Sequence, residues 1–182
     1  ISTPTNELHS LEPISSYGII KLSIEKYLFL YQEKYKIKPL IIRPSNPFGP
    51  RQGHYLAQGV ITTFLRKLKD GGDIQVFGKG DMQKDYIYIK DLIEGCTRLA
   101  FSGAVGAYNY GMGEGHSLNQ IINSIEIVTG EKLNVQYVSK KTYDVENFVL
   151  DMEKTISVLG RLPRTELIDG IRMTWDWINK GS

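Results

Sequence analysis

Between Tyr17 and Lys36 apolar side chains recur at steps of three and four: Tyr17, Ile20, Ile24, Tyr27, Leu28, Tyr31 and Tyr35. That spacing predicts a helix, capped by Ser15 or Ser16, with a stripe broad enough to face both a core and a partner. "PLIIRP" (39–44) follows, a short apolar run bounded by prolines, and predicts a strand buried on both faces. A long helix leading into such a strand is the second half of a βαβ crossover. "SNPFGPRQGH" (45–54) is predicted as a loop stiffened by Pro47 and Pro50. Loops that leave buried strands are where α/β proteins place their chemistry.

The pattern continues to alternate. A helix is predicted from about Gln58 to Asp70, stopped by Gly71–Gly72. "IQVFG" and "DYIYI" read as strands around the glycine turn "GKGDMQ". Asp91 to Phe101 reads as a helix, "AYNY" as a short strand, and Ser117 to Thr129 as a helix capped by Ser117 and closed by Gly130. "LNVQYV" alternates as a strand, and helices over Asp151–Leu159 and Glu166–Ile178 close the chain. The class is α/β. No internal repeat, low-complexity stretch or flexible linker interrupts it.

Composition narrows the picture. The 182 residues are 41% hydrophobic, enough for a real core, and suit one domain or a piece of a larger α/β protein. The net charge is +2 and the basic clusters are short, such as "RKLK" at 66–69, so the basic stripe of a nucleic-acid binder is missing. Cys96 lies in the apolar "LIEGCTRLAF", which suits an inert thiol and excludes a disulfide framework. No apolar run reaches the roughly 20 residues of a membrane span and no signal-peptide pattern is present, so a cytoplasmic protein is expected. His9, His54 and His116 are scattered, and no metal site is expected.

Tyr-x-x-x-Lys occurs twice, at Tyr17–Lys21 and Tyr86–Lys90. On a helix, residues four apart share a face, about 6 Å from one another. On a strand they stand roughly 13 Å apart. The second match falls in the alternating "DYIYIK" and its side chains are too far apart to cooperate. The first has helical geometry, where the Lys21 ammonium favours the phenolate and suits Tyr17 to general acid/base work. The same residues also suit an ordinary amphipathic helix.

The longer stretch "YGIIKLSIEKYLFLYQEKYKIKPLIIRPSNPFGPRQ" resembles the nucleotide-sugar epimerases and dehydratases of the extended short-chain dehydrogenase/reductase superfamily. "IQVFGKGDMQKDYIYIKDL", "YNYGMGEGHSLNQI" and the terminal "LDMEKTISVLG…GIRMTWDWI" extend the resemblance over nearly the whole chain, nearest to the UDP-hexose 4-epimerase branch. It implies the C-terminal part of a Rossmann-type doubly wound domain in residues 1–57. Residues 58–182 become mostly a small mixed α/β substrate lobe, with some segments returning to the Rossmann sheet.

By that resemblance Tyr17 is the catalytic acid/base, and Lys21, with Tyr17 and Pro44, contacts NAD. Asn46 contacts the sugar nucleotide, while Gln75 and Phe77 line a uracil pocket. An aromatic face can stack on a pyrimidine, although Phe77 ahead of a glycine turn equally suits core packing. The family places arginines where this chain has Lys84 and Lys141, the latter followed by Asp144. Lysine supplies charge to a diphosphate without arginine's two-pronged donor set. A surface role also suits Lys141, beside Lys140. Phe148 matches a position that gates an N-acetyl group, and its bulk implies glucose/galactose substrates.

The resemblance thus implies an NAD-dependent UDP-hexose 4-epimerase, or a 4,6-dehydratase or decarboxylase of the same superfamily. "GMGEG" (111–115) is Gly-x-Gly-x-Gly and reads as a tight turn, not as the dinucleotide fingerprint. The family's glycine-rich loop and catalytic Ser/Thr have no counterpart here. The chain therefore reads as a carboxy-terminal half, inactive by itself, whose parent dimerises through the Tyr17–Lys36 helix. A non-catalytic truncated product fits the same residues.

Overall fold

In the computed structural model, residues 3–52, 59–139 and 147–180 are described. Helix α1 spans Ser16–Tyr35, with the Ser15 hydroxyl accepting from Gly18 N at 3.1 Å and Lys36 closing it in the left-handed conformation. Strand β1 (Leu40–Pro44) pairs in parallel with β5 (Gly106–Tyr110), Ile42 opposite Tyr108 and Arg43 opposite Asn109. The two-sided burial expected for β1 is not found. Ile41 is buried, Leu40, Ile42 and Arg43 are half-covered and Pro44 is exposed, since β5 is its sole strand neighbour among the described residues.

The expected loop after β1 begins as a strand. β2 (Asn46–Phe48) lies parallel to β4 (Gln83–Tyr88), which also pairs antiparallel with β6 (Gly115–Ser117). β3 (Ile74–Phe77) does not form a hairpin with β4 across the glycine turn. It pairs in parallel with β7 (Val135–Val138) instead. The helices are α2 (Val60–Lys69), α3 (Ile89–Phe101), α4 (Leu118–Thr129), α5 (Glu153–Leu159) and α6 (Leu167–Asn179). Tyr86 therefore lies on β4 and Lys90 in the first turn of α3, so the second Tyr-x-x-x-Lys match straddles two elements.

β4 is the centre of the packing. Tyr86 and Tyr88 point into one cluster with Phe48, Ile61, Phe64, Leu65, Ile74, Val76, Ile121, Ile125 and Ile171, drawn from β2, α2, β3, α4 and α6. Ile87, on the opposite face, joins Leu99, Tyr108, Tyr110, Leu150 and Met152 between α3, β5 and α5. This is period-two alternation in a strand covered on both sides. Glycines allow two close approaches: a Cβ on Gly170 would meet Phe48 Cζ at 2.7 Å, and one on Gly95 would meet the Tyr110 ring at 1.8 Å.

α1 contrasts with this core. None of its residues is buried, and its apolar side chains stand open around most of the helix. Among the described residues no helix is long and apolar enough to cross a membrane, and no cluster of His, Cys, Asp or Glu could hold a metal ion. Cys96 is half-buried, and burial pushes its thiol above the ordinary value, which keeps it in the unreactive form.

Candidate active site

Strands β2, β3 and β4 border a pocket of about 390 Å³ lined by Asn46, Phe48, Phe64, Gln75, Phe77, Met82, Lys84, Tyr86 and Leu118 among others. Four residues singled out in the sequence, Asn46, Gln75, Phe77 and Lys84, meet here. Parallel pairing of β2 with β4 brings Asn46 beside Tyr86, and Asn46 Nδ2 donates to the Asp85 carbonyl at 2.7 Å. That bond fixes the amide plane. The pocket's apolar wall carries a few placed polar groups, the usual make-up of a small-molecule site.

One edge is held by the 78–82 turn. Asn119, in the first turn of α4, donates from Nδ2 to Lys79 O at 2.9 Å and from its backbone N to Gly80 O at 3.1 Å. Tyr137 Oη donates to Asn119 Oδ1 at 2.9 Å. Gly80 has φ +71° and no room for a Cβ against Asn119, so the turn seats Met82 only with glycine there. A capping box between Ser117 and Gln120 fixes the start of α4 itself.

Asp85 has a structural part that its sequence pattern does not reveal. It is fully buried between Lys84 and Tyr86, and its carboxylate accepts from Met112 N and Gly113 N, both at 2.9 Å, and from Leu150 N at 3.4 Å. "GMGEG" is thus a tight turn, as expected, and its amides serve a side chain of the protein. Burial pushes the Asp85 carboxyl above its ordinary range, against the pull of the Met112 and Gly113 amides. The signal available in sequence was an acidic residue opening an apolar run, which burial obliges to find donors.

The other predicted residues lie elsewhere. Tyr17 and Lys21 are together on α1, with the Lys21 Nζ 5.4 Å from the centroid of the Tyr17 ring, which is 71% exposed. Lys21 also lines a separate cleft of about 580 Å³ with His9, Glu12, Gly18, Glu25 and Arg43. Pro44 ends β1 two residues before Asn46 and is exposed. Phe148 bridges in parallel to Lys84, with its N–H donating to Gln83 O at 2.9 Å, and its side chain packs on the Ile87–Tyr110 cluster. Lys141 and Asp144 lie outside the described residues.

Tyr17 and Lys21 suit NAD by the chemistry of their donors. A phenol and an ammonium stand side by side on an open helix face, able to serve hydroxyl oxygens, and Pro44 presents an exposed ring at the end of the neighbouring strand.

Comparison with known proteins places the chain in a family. The dTDP-4-dehydro-6-deoxyglucose reductase of Escherichia coli is 33% identical over 93% of this chain and 54% of its own length. A putative UDP-glucose 4-epimerase of Methanocaldococcus jannaschii is 30% identical over 98% of this chain and 58% of its own. The chain thus spans a little over half the length of these relatives. The solved UDP-glucose 4-epimerase of Thermotoga maritima, with UDP-glucose, superposes with a TM-score of 0.87 at 31% identity, covering 97% of this chain and 57% of that one. The NAD dependent epimerase/dehydratase family matches residues 2–111, and the chain belongs to that family.

Proposed function

We propose that this chain is the sugar-nucleotide-binding part of an NAD-dependent UDP-hexose 4-epimerase, with residues 1–57 contributing to the dinucleotide domain. One observation carries the reading: Asn46, Gln75, Phe77 and Lys84, from three strands, line a single pocket, while Tyr17 and Lys21 make a contact of their own on α1. The uracil ring lies against Phe77 with Gln75 at its edge, Lys84 supplies charge to the diphosphate, and Asn46 orients the sugar. Lys141, Asp144 and Phe148 complete the substrate set.

NAD, when bound, supplies the hydride chemistry at sugar C4. The protein's own residues move the proton. Tyr17 Oη takes it from the 4-hydroxyl as the 4-keto sugar forms and returns it after the sugar has turned over in the pocket. In this reading Lys21, whose Nζ lies 5.4 Å from the Tyr17 ring centroid, supports the tyrosine and with Pro44 contacts the cofactor. α1 shows a ladder of tyrosines, Tyr27 to Tyr31 at 6.4 Å and Tyr31 to Tyr35 at 5.4 Å between ring centroids, with open apolar neighbours. A second copy packing on this face, helix against helix, gives a homodimer.

The test is a calorimetric titration with UDP-glucose and, in parallel, NAD. UDP-glucose binds, Lys84→Met weakens it roughly tenfold, and Tyr17→Phe leaves it unchanged. By itself the chain binds NAD weakly or not at all and turns nothing over. Absence of UDP-glucose binding overturns the reading. The reductase and epimerase relatives differ in net reaction. Product analysis in an assembled enzyme separates an epimerase, which returns an isomer, from a dehydratase, which releases water.

A further inference from the structure

The Tyr17–Lys21 pair has a charged neighbour on its own helix. Glu25 follows Lys21 by four residues, which puts its carboxylate on the same face, and both side chains line the same cleft. A carboxylate left loose there would draw the Lys21 ammonium away from Tyr17. It is not loose. Arg43 takes both of its oxygens in a fork, Nε to Oε1 at 2.9 Å and Nη2 to Oε2 at 2.6 Å. The pair is largely covered, with 21% and 15% of the two side chains exposed.

Arg43 is held in place from outside α1. Its Nη1 donates to Glu7 O at 3.1 Å, and the Glu7 carboxylate accepts from Asn109 N at 2.8 Å. Asn109, directly opposite Arg43 across the β1–β5 ladder, is buried and donates from Nδ2 to Thr5 O at 2.9 Å and Asp151 O at 3.2 Å. The Arg43 end of the fork is therefore anchored on the sheet and presents its donors to Glu25 on α1.

We infer that Arg43 is a positioning residue: it sequesters Glu25 so that the Lys21 ammonium stays over the Tyr17 ring. Its catalytic meaning rests on the acid/base reading of that pair. The contact itself can be tested without turnover, so the two can fail separately. Lysine is no substitute at position 43, because a single ammonium cannot hold both carboxylate oxygens in a plane.

The experiment is NMR of the isotope-labelled full chain, reading the ring-current displacement of the Lys21 ε-methylene protons. Tyr17→Leu abolishes the displacement and calibrates it. Arg43→Gln is expected to lose most of it, as Lys21 swings to the released Glu25. Adding Glu25→Gln to Arg43→Gln restores it, and Glu25→Gln alone leaves it intact. A fork that merely tethers the helix would lose the signal alike in all three. Should Arg43→Gln not fold, Arg43→Lys poses the same question with an intermediate loss. Displacement that survives Arg43→Gln, or a double variant that fails to restore it, overturns the inference, as does a wild-type signal that Tyr17→Leu leaves unmoved. Failure of the acid/base reading shows up differently, as turnover of an assembled enzyme that survives Tyr17→Phe while these shifts behave as stated.

Discussion

The pocket and α1 carry the two halves of the proposed chemistry, and they are built in opposite ways. The pocket's walls are the outer edge of a packed core: Phe48 and Phe64 are buried, and Tyr86 belongs at once to the pocket and to the Ile61–Ile171 cluster. Among the described residues two turns near it are pinned: Asn119 holds Lys79 O with its side-chain amide and Gly80 O with its backbone N–H, and the Asp85 carboxylate accepts from Met112 N and Gly113 N. α1 has no buried residue and is joined to the sheet through Arg43 and Glu25. Helices in proteins owe most of their stability to a packed face. The pocket thus contains its own support, while α1 leaves its apolar residues open.

The sharpest way to break that contrast is at Asp85. Asp85→Asn leaves the three amides of Met112, Gly113 and Leu150 facing an amide group that supplies one oxygen, in a site that water does not reach. Unpaired buried N–H groups make the expected loss about 3 kcal/mol, read as a lower urea midpoint at unchanged slope. UDP-glucose binding should fall with it, because the Asp85 carbonyl orients Asn46. A variant as stable as wild type would mean that the pocket is less self-supporting than its bonding indicates.

The corresponding change on α1 should do the reverse. Tyr27→Glu with Tyr31→Glu alters two open rings and should move the chain's own stability by no more than about 0.5 kcal/mol, as exposed substitutions do. Its effect belongs to association. If a second copy covers the tyrosine ladder, the dimer dissociation constant in sedimentation rises at least roughly a hundredfold, since buried aromatics dominate interfaces. A wild-type chain that stays monomeric at high concentration breaks the comparison from the other side.

A smaller effect probes the second cluster. The Tyr110 hydroxyl is buried against Gly95 without a hydrogen-bond partner among the described residues, and burial pushes its pKa up to about 12. Tyr110→Phe should be neutral or stabilising by about 1 kcal/mol, because an unsatisfied polar group leaves the core. The sign in alkali follows from the raised value. The native state holds the proton more tightly, so this group's contribution is present below the ordinary value of 10.0 and is lost as the pH climbs through about 12. Wild type should therefore lose stability over that interval relative to Tyr110→Phe, as followed by urea melts at stepped pH.

What could be read from the chain follows the range of the forces involved. The α4 ends were legible because a capping box and a left-handed glycine are local, with Ser117 and Gln120 three residues apart and Gly130 closing the helix. The partnering of β3 with β7 was not, since register between distant strands depends on which faces the core selects, and two strands around a glycine turn do not name their partners. Asn46, Gln75, Phe77 and Lys84 were identified by resemblance, and the fold assembles them. Asp85 and Arg43 escaped notice for one reason: their partners are backbone amides or side chains far along the chain, which no periodicity encodes.

The smallest effect compares two ion pairs. The Arg43–Glu25 fork is shielded and two-pronged, whereas in the pocket half Lys132 Nζ meets Glu126 Oε2 at 2.5 Å with 87% of the lysine side chain exposed. The Lys132 bond draws the Glu126 carboxyl below its ordinary 4.5, with help from Leu133 N, which donates to Oε1 at 3.2 Å. A depressed carboxyl adds stability that is present above 4.5 and is lost as the pH falls through the lower native value. Solvent screening keeps the contribution small, so Lys132→Met should cost at most about 0.5 kcal/mol at neutral pH and less once Glu126 is protonated. Added salt should shrink that difference at Lys132 within the Debye length of the medium, while leaving the Arg43 signal at Lys21 almost unchanged. Equal salt sensitivity at the two pairs would show that the Arg43–Glu25 fork is as open to water as the Lys132–Glu126 pair, and would remove the shielding on which its positioning role depends.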